Sequence, residues 1–380
     1  MNVTSNIAVR YSHLLLKYKQ MIMKKVGIIT WHRGPNFGSA LQALSLQNIL
    51  CELGYDARVI NFAPSTLGWK TIIRQLGKKL MMLFSYKNKL KYDFYPDRFR
   101  NRYIRQTRFV YNKSQLTKLT RDYYAIICGS DQIWAPNLLR TAYMADFANP
   151  GTRKISYAAS IGLESIPVEL IGVYKSNLES FHAISVREDK ARELLLNNCN
   201  IDSSVVLDPT LLHGTTFYEK YESPVKGVDG GFIFCYFLNP DNKYNKPVTD
   251  YARDHNLQIV GVSKNKNDSS YMRQLEGLSA GNFLWLIKYS SMICTDSYHG
   301  TIFSLLYHKD FVTFKRFSEN DPICQNSRLN QLVKYFGIEN RIVDNHSNIS
   351  ELELYDFSLF EERIKDLRRE SISFIKRSLI

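Results

Sequence analysis

Met292-Ile293-Cys294-Thr295-Asp296-Ser297-Tyr298-His299-Gly300-Thr301-Ile302-Phe303-Ser304-Leu305-Leu306-Tyr307 joins an apolar, strand-like run (292–294) to a helix-like run (301–307) through a polar turn. A short buried strand that passes directly into a helix is the unit from which parallel, helix-covered sheets are built. The turn brings Ser297 and Gly300 to a helix N-terminus, where backbone N–H groups bind anions. His299 adds a proton donor where a phosphate or carboxylate can sit. The structural alternative is an N-cap beside a satisfied surface histidine.

The same unit recurs on both sides of this stretch. Upstream, strands are expected at 25–30, 57–62, 123–128, 154–159 and 183–186, with helices at about 40–53 and 189–196. Glycine and proline cluster near 222–230, and a second series begins there. Its strands are expected at 232–237, 258–262, 292–294 and 312–314, and its helices near 246–255, 281–289, 301–307 and 358–379. The expected class is therefore α/β, with two Rossmann-like domains facing a cleft. The first spans 23–222, with a basic insertion at about 65–113, and the second spans 230–355. Residues 1–22 form an extension, and a C-terminal helix (356–380) returns to the first domain. In such sheets ligands sit beyond the carboxyl ends of the strands. Asn36 to Ser39, Gly129 to Gln132, Ser160 to Gly162, Arg187, and Asp296 to Gly300 all fall at those ends.

At 380 residues the chain is long enough for two cored domains. No run approaches the roughly 18 uninterrupted apolar residues needed to span a bilayer. The start lacks the features of a secretory signal. The six cysteines stand singly with no CxxC pair, which points to reduced, buried thiols in a cytoplasmic protein. The net charge of +14 is concentrated: between Lys70 and Lys113, thirteen Lys or Arg face Asp93 and Asp97. Within that segment Trp69, Ile72, Ile73, Leu76, Leu80, Leu83 and Phe84 share one helical face. Such a helix suits an anionic membrane surface or packs as an ordinary surface helix. No nucleic-acid motif accompanies the charge, so nucleic acid is not expected as a partner.

Several segments, taken in order, resemble the polysaccharide pyruvyl transferase family. They are Asn36-Phe37-Gly38-Ser39-Ala40-Leu41-Gln42-Ala43, Cys128-Gly129-Ser130-Asp131-Gln132-Ile133-Trp134, Tyr157-Ala158-Ala159-Ser160-Ile161-Gly162, Ser185-Val186-Arg187-Glu188, Leu207-Asp208-Pro209-Thr210-Leu211-Leu212 and Phe283-Leu284-Trp285-Leu286-Ile287. Thr295 to Gly300 and Asn326-Ser327-Arg328-Leu329 complete the set. The likeness runs from about Lys24 to Ile338. It is loose around 65–105 and at both termini.

The resemblance implies a fold like that of GT-B glycosyltransferases. It also implies transfer of the pyruvyl group of phosphoenolpyruvate to two hydroxyls of a sugar, giving a cyclic ketal and phosphate. This chemistry needs an acid at the methylene carbon, cations for carboxylate and phosphate, and a base for the attacking hydroxyl. It requires neither a metal nor a redox cofactor. His299 is expected to be the acid or the phosphate anchor, with Ser297 and Gly300 beside it. Arg187 is expected to grip the donor, its structural alternative being a salt bridge to Glu188 or Asp189. Some relatives place a lysine about twenty residues after the histidine. Here that spacing lands on Glu319, leaving Lys315, Arg316 and Arg328 as substitutes, with Arg328 favoured by its Asn-Ser-Arg setting. Asp131 is a candidate base. Ser130, Gln132, Ser160, Asn36, Gly38 and Ser39 are candidates for the acceptor. Asp208 before Pro209 is read as structural, and His32 remains open between the two.

The expected acceptor is a lipid-linked (undecaprenyl-type) precursor of a bacterial capsule or exopolysaccharide, met at the inner face of the cell membrane. A nucleotide-sugar glycosyltransferase of the same layout is the enzymatic rival, although only Glu319 or Asp321 offers a carboxylate for a ribose. A non-enzymatic glycan- or membrane-binding module is the other. The concentration of polar groups at strand ends speaks against that module.

Overall fold

The computed structural model describes residues 23–34, 36–63, 95–239, 244–264, 270–318, 321 and 324–380. The N-terminal extension, the Trp69–Phe84 helix and Glu319 lie outside the described residues.

The N-terminal sheet is parallel. Its strands β1 (Lys25–Ile29), β2 (Asp56–Val59), β3 (Ala125–Cys128) and β4 (Arg153–Ser156) lie in the order β2-β1-β3-β4. The bridges Ile155↔Ala183 and Ala159↔Val186 extend it to β5 (Ser185–Val186) and its parallel partner β6 (Ser204–Val205). The second sheet contains β7 (Phe232–Phe237), β8 (Gln258–Ser263), β9 (Arg273–Gln274), β10 (Met292–Thr295), β11 (Phe311–Phe314) and β12 (Ile342–Val343). Their order is β12-β11-β10-β7-β8-β9, and every pair is parallel. All six residues of β7 are buried, as expected of a central strand covered on both faces. The fold is thus two Rossmann-like domains of the GT-B type. Strand order reverses between β1 and β3 in one sheet and between β7 and β10 in the other, and crevices for ligands open at such points.

Helix α1 (Phe37–Glu52) joins the two halves. Thirteen of its sixteen residues are buried, because it is apolar on nearly every side. Its first residue, Phe37, packs its ring on Tyr236 of β7 at 5.4 Å and on Phe283 at 5.3 Å. Leu41, Leu44, Tyr236, Phe283 and Ile302 consequently share one continuous core across both sheets. Around the sheets lie α2 (Val168–Leu178), α3 (Asp189–Cys199), α4 (Asn245–Asp254), α5 (Ala280–Tyr289), α6 (Tyr298–Leu306) and α7 (Ser327–Phe336). The last helix, α8 (Phe357–Ser378), reaches back to the N-terminal half. Its Ser371 Oγ accepts from Leu207 N at 3.0 Å, and Arg368 Nε donates to Leu211 O at 2.8 Å. Beyond its end, Leu379 O accepts from Tyr124 Oη at 2.8 Å.

Two local expectations change. α6 begins at Tyr298 rather than Thr301: Ser297 caps it by accepting from Gly300 N at 3.4 Å, so the polar turn forms the first helical turn. Helices α2 and α7 add to the expected set. α2 opens at Pro167 and α7 at Asn326 without a side-chain cap hydrogen bond, although Asn326 is a residue type that favours that position. All six cysteines are free, with Cys51 half-buried and the others buried. Among the described residues no helix is long and apolar enough to cross a membrane.

Truncating the ring that ties α1 to the second sheet tests this account of the core. Phe37→Ala should lower the unfolding free energy by about 3–5 kcal/mol, read as a reduced midpoint in urea denaturation. A loss below about 1 kcal/mol would mean that the halves are held together elsewhere.

Candidate active site

The carboxyl end of the N-terminal sheet and the amino end of α6 enclose one carboxylate, Asp208, which is 1% exposed. Its Oδ1 accepts from Thr210 N at 3.0 Å and from Thr210 Oγ1 at 2.7 Å. Its Oδ2 accepts from Arg187 Nη1 at 2.8 Å and lies 3.6 Å from His299 Nε2. Burial alone would push this carboxyl up. His299, Arg187 and the Thr210 hydrogen bonds outweigh burial and hold it far below the usual carboxylate range. Asp208, read above as structural, thus contacts both principal candidates at once. The Leu207-Asp208-Pro209-Thr210 segment was visible as a motif, but only tertiary contact reveals its partners.

His299 is on the first turn of α6 and 4% exposed, so the surface-histidine alternative does not hold. The backbone of Gly38 in α1 presses against its ring. A methyl group there would stand 2.1 Å from His299 Cγ and 2.2 Å from Nδ1. Gly38 takes ordinary helical backbone, so side-chain clearance, not turn geometry, requires the glycine. Of the structural alternatives for Arg187, the ion pair with Glu188 is present at long range and the one with Asp189 is not. The close partner of Arg187 is Asp208, whereas Glu188 Oε2 lies 3.9 Å away and Asp189 pairs with Lys334. Asp131 Oδ1 lies 4.0 Å from Arg187 Nη2. Burial pulls the Arg187 guanidinium pKa down, but Tyr298 and the three carboxylates raise it overall.

Three guanidiniums gather around Tyr298. Arg187 Cζ is 4.4 Å and Arg328 Cζ 5.8 Å from the centre of the Tyr298 ring. Arg316 donates through Nη2 to Asp296 O at 2.7 Å. Arg316 and Arg328 line a small cavity of about 30 Å³ together with Asp296, Tyr298, Thr313 and Gln325. Burial, then Arg187 and Arg316, push the Arg328 guanidinium down to about 10. It remains charged at neutral pH and feels its neighbours' repulsion. Arg187 Nε and Nη2, Arg316 Nε and Arg328 Nε are buried with no hydrogen-bond partner among the described residues. Arg187, Tyr298 and Arg328 sit at or just before the amino ends of α3, α6 and α7, where helix dipoles favour negative charge. The arrangement suits a ligand that carries more than one anionic group.

The remaining sequence candidates occupy defined places. Lys315 is exposed just after β11 and does not line the cavity. Ser297 caps α6, and Gly300 leaves room for Thr295, whose Oγ1 would lie 2.4 Å from an added methyl. Asn36 caps α1 through Gly38 N at 3.1 Å. Ser39 Oγ donates to Asp131 Oδ2 at 2.6 Å, and Gln42 ties the same corner together by accepting from Ser130 N at 3.1 Å. Ser130 Oγ donates to Ala158 O at 2.7 Å. Ser160 Oγ, Ile161 N and Gly162 N all donate to Glu188 Oε1 at 2.9–3.1 Å. Gln132 Nε2 donates to Gln325 Oε1 at 3.0 Å. His32, left open above, is buried with Nδ1 against Thr30 O, and burial lowers it to about 4, so it is neutral at pH 7. Sequence reasoning missed the parts of Tyr298, Glu188 and Gln325, of which Tyr298 and Glu188 lay within motifs already singled out and Gln325 did not. Among the described residues no group of three His, Cys, Asp or Glu side chains is placed to hold a metal ion.

The family model described as polysaccharide pyruvyl transferase matches residues 36–316. Among solved structures, the UDP-N-acetylglucosamine 2-epimerase from Rickettsia bellii is similar at 10% identity and TM-score 0.50, covering 94% of this chain and 97% of that one. The UDP-GlcNAc 2-epimerase from Neisseria meningitidis is similar at 12% identity and TM-score 0.49, covering 94% and 99%. At these identities the likeness concerns the fold. No curated protein matches the chain.

Two substitutions test the geometry of this site. Asp208→Asn leaves Arg187 buried without the nearest of its three carboxylates and should cost about 3–5 kcal/mol at neutral pH. The folded-state pKa lies below the ordinary value of about 3.9, so the wild-type advantage is complete above about pH 5. It is lost as pH falls toward the folded value, and should be smaller by roughly 1 kcal/mol at pH 3. Urea unfolding of both proteins across this range measures the gap, and an equal gap at both ends would contradict the assignment. Gly38→Ala should leave the circular dichroism unchanged while shifting the His299 ring resonances in histidine-labelled protein. Unmoved resonances would refute the close approach.

Proposed function

The chain belongs to the polysaccharide pyruvyl transferase family, and from that premise we propose that it transfers the pyruvyl group of phosphoenolpyruvate to a sugar of a surface-polysaccharide precursor. The observation that carries this reading is the gathering of Arg187, Arg316 and Arg328 about Tyr298, the residue before His299, with Arg187 and His299 both against Asp208. Phosphoenolpyruvate presents a carboxylate and a phosphate on one three-carbon unit, which matches several cations around one proton donor.

In this mechanism the arginines bind the carboxylate and phosphate, with bidentate contacts favouring guanidinium over ammonium. Protonated His299 donates its proton to the methylene carbon, leaving an oxocarbenium-like centre at C2. Asp208 is a positioning residue that orients the imidazole and stabilises its charged form. Asp131 accepts the proton of the first sugar hydroxyl as that oxygen bonds to C2. Phosphate then departs with the C2–O bond electrons, and the second hydroxyl closes the ketal while releasing its proton. Of the two hydroxyl protons, one balances the proton delivered to carbon and the other leaves with phosphate. Ser39 and Ser130 hold the Asp131 corner that faces the acceptor, with no metal or redox cofactor in any step. The acceptor is proposed to be a lipid-linked capsule or exopolysaccharide unit met by a cytoplasmic enzyme at the inner membrane face. The excess positive charge of the 70–113 segment supports this, since anionic surfaces attract such segments.

The first test is thermal stability with phosphoenolpyruvate beside UDP-sugars, in wild type and His299→Ala. At 100 times its Kd a ligand adds about 2.7 kcal/mol, so phosphoenolpyruvate should raise the melting temperature of the wild type and do so less in the variant. With acceptor present, the variant should lose about 10²–10⁴-fold in rate. Stabilisation by a nucleotide sugar and not by phosphoenolpyruvate would overturn the reading in favour of glycosyl transfer.

A further inference from the structure

Gln325 lies just before α7 in the second half, and its Oε1 accepts two hydrogen bonds. One comes from Arg328 Nη2 at 2.7 Å, the other from Gln132 Nε2 at 3.0 Å. Gln132 belongs to the other half, in the loop after β3, and that loop is held firmly. Its backbone N donates to Asp131 Oδ1 at 2.9 Å. Its side chain lies over Gly162, where φ is +67° and an added methyl would stand 2.2 Å from Nε2. Gly162 N in turn donates to Glu188 Oε1 at 3.1 Å. A chain of contacts therefore runs from the loop carrying Asp131, across the cleft, to the guanidinium of Arg328.

Arg328 needs such a hold. A long side chain beside two other guanidiniums is driven outward by like charge, and burial makes that repulsion stronger. A carboxylate would restrain it but would also cancel the charge that an anion is to meet. A glutamine carbonyl restrains Nη2 and leaves the positive charge in place. The amide of Gln132 polarises that carbonyl and fixes its direction, as donors linked in series do.

We propose that Gln132 and Gln325 are positioning residues that tether Arg328 in the anion-binding cavity, so that the donor-side cation is set by the acceptor-side loop. This rests on the reading above in taking Arg328 as a ligand of the donor. The tether itself is a property of the ligand-free protein and can be measured separately.

Two measurements decide it. In ligand-free protein, Gln132→Met should speed backbone hydrogen exchange in the first two turns of α7 several-fold, with the urea midpoint little changed. Gln325→Met should do the same, and Gln325→Glu should keep exchange slow, because it still accepts from both donors. Exchange in α7 unchanged by Gln132→Met overturns the tether. In calorimetric titration with phosphoenolpyruvate, each Met variant should bind about three- to tenfold more weakly than wild type. The double variant should bind no more weakly than the worse single one, because both remove one link. Gln325→Glu should also weaken binding, through charge rather than position. Fully additive losses, or a Gln325→Glu variant that binds as tightly as wild type, would overturn the proposal. A wild type that does not bind phosphoenolpyruvate would sink the donor reading, and the exchange measurement would still decide the tether.

Discussion

A buried carboxylate with no access to water must be compensated on every side, and the site around Asp208 is organised by that demand. Removing a carboxylate from water costs several kcal/mol, which only close charges and hydrogen bonds offset. Asp208 meets the cost with Thr210 from its own turn, Arg187 from the end of β5 and His299 from the start of α6. These partners come from both halves, so satisfying one charge fixes how the two halves meet at Asp208. The same constraint explains why Arg187, buried to 1% exposure, stays ionised and retains unused N–H groups.

Helix α1 supplies the complementary steric constraint. Its apolar circumference buries it between the sheets, and its first turn meets β7 through Phe37 and α6 through Gly38. The only residue able to stand against the imidazole at that distance is one without a side chain. Core packing and site geometry are therefore the same contact seen from two sides. A displacement of α1 by a fraction of an ångström would be transmitted to His299, since packed interiors have little room to absorb it.

Much of this was legible from residue order. Alternating apolar strands and helices located both sheets, and the strand ends carrying His299, Arg187, Asp131 and Ser39 do converge, because parallel βα units place all their carboxyl ends on one edge. Choosing among Lys315, Arg316 and Arg328 was not possible from spacing. Both Lys315 and Arg316 follow the end of β11 at Phe314, and only the tertiary arrangement shows that Lys315 is exposed while Arg316 lines the cavity with Arg328. Asp208 read as a turn residue because its local role, capping the turn through Thr210, is real; its long-range partners lie 21 and 91 positions away in the chain. Glu188 lay in the Ser185-Val186-Arg187-Glu188 segment but its partners at Ser160 to Gly162 did not show there, and Gln325 carried no motif at all, since each acts through loops that local pattern cannot place.

By itself, the sequence determined the fold class, the two-sheet organisation and the edge on which the polar groups gather, because periodicity and turn chemistry act over a few residues. It also carried the family, through segments that persist in order along the chain. The tertiary structure alone decided which charges meet. It joined Asp208 to Arg187 and His299, set Gly38 against the imidazole and brought Gln132 to Gln325. Those are contacts between residues remote in sequence, created only when burial brings two sheets around one helix and forces every enclosed charge to find a partner.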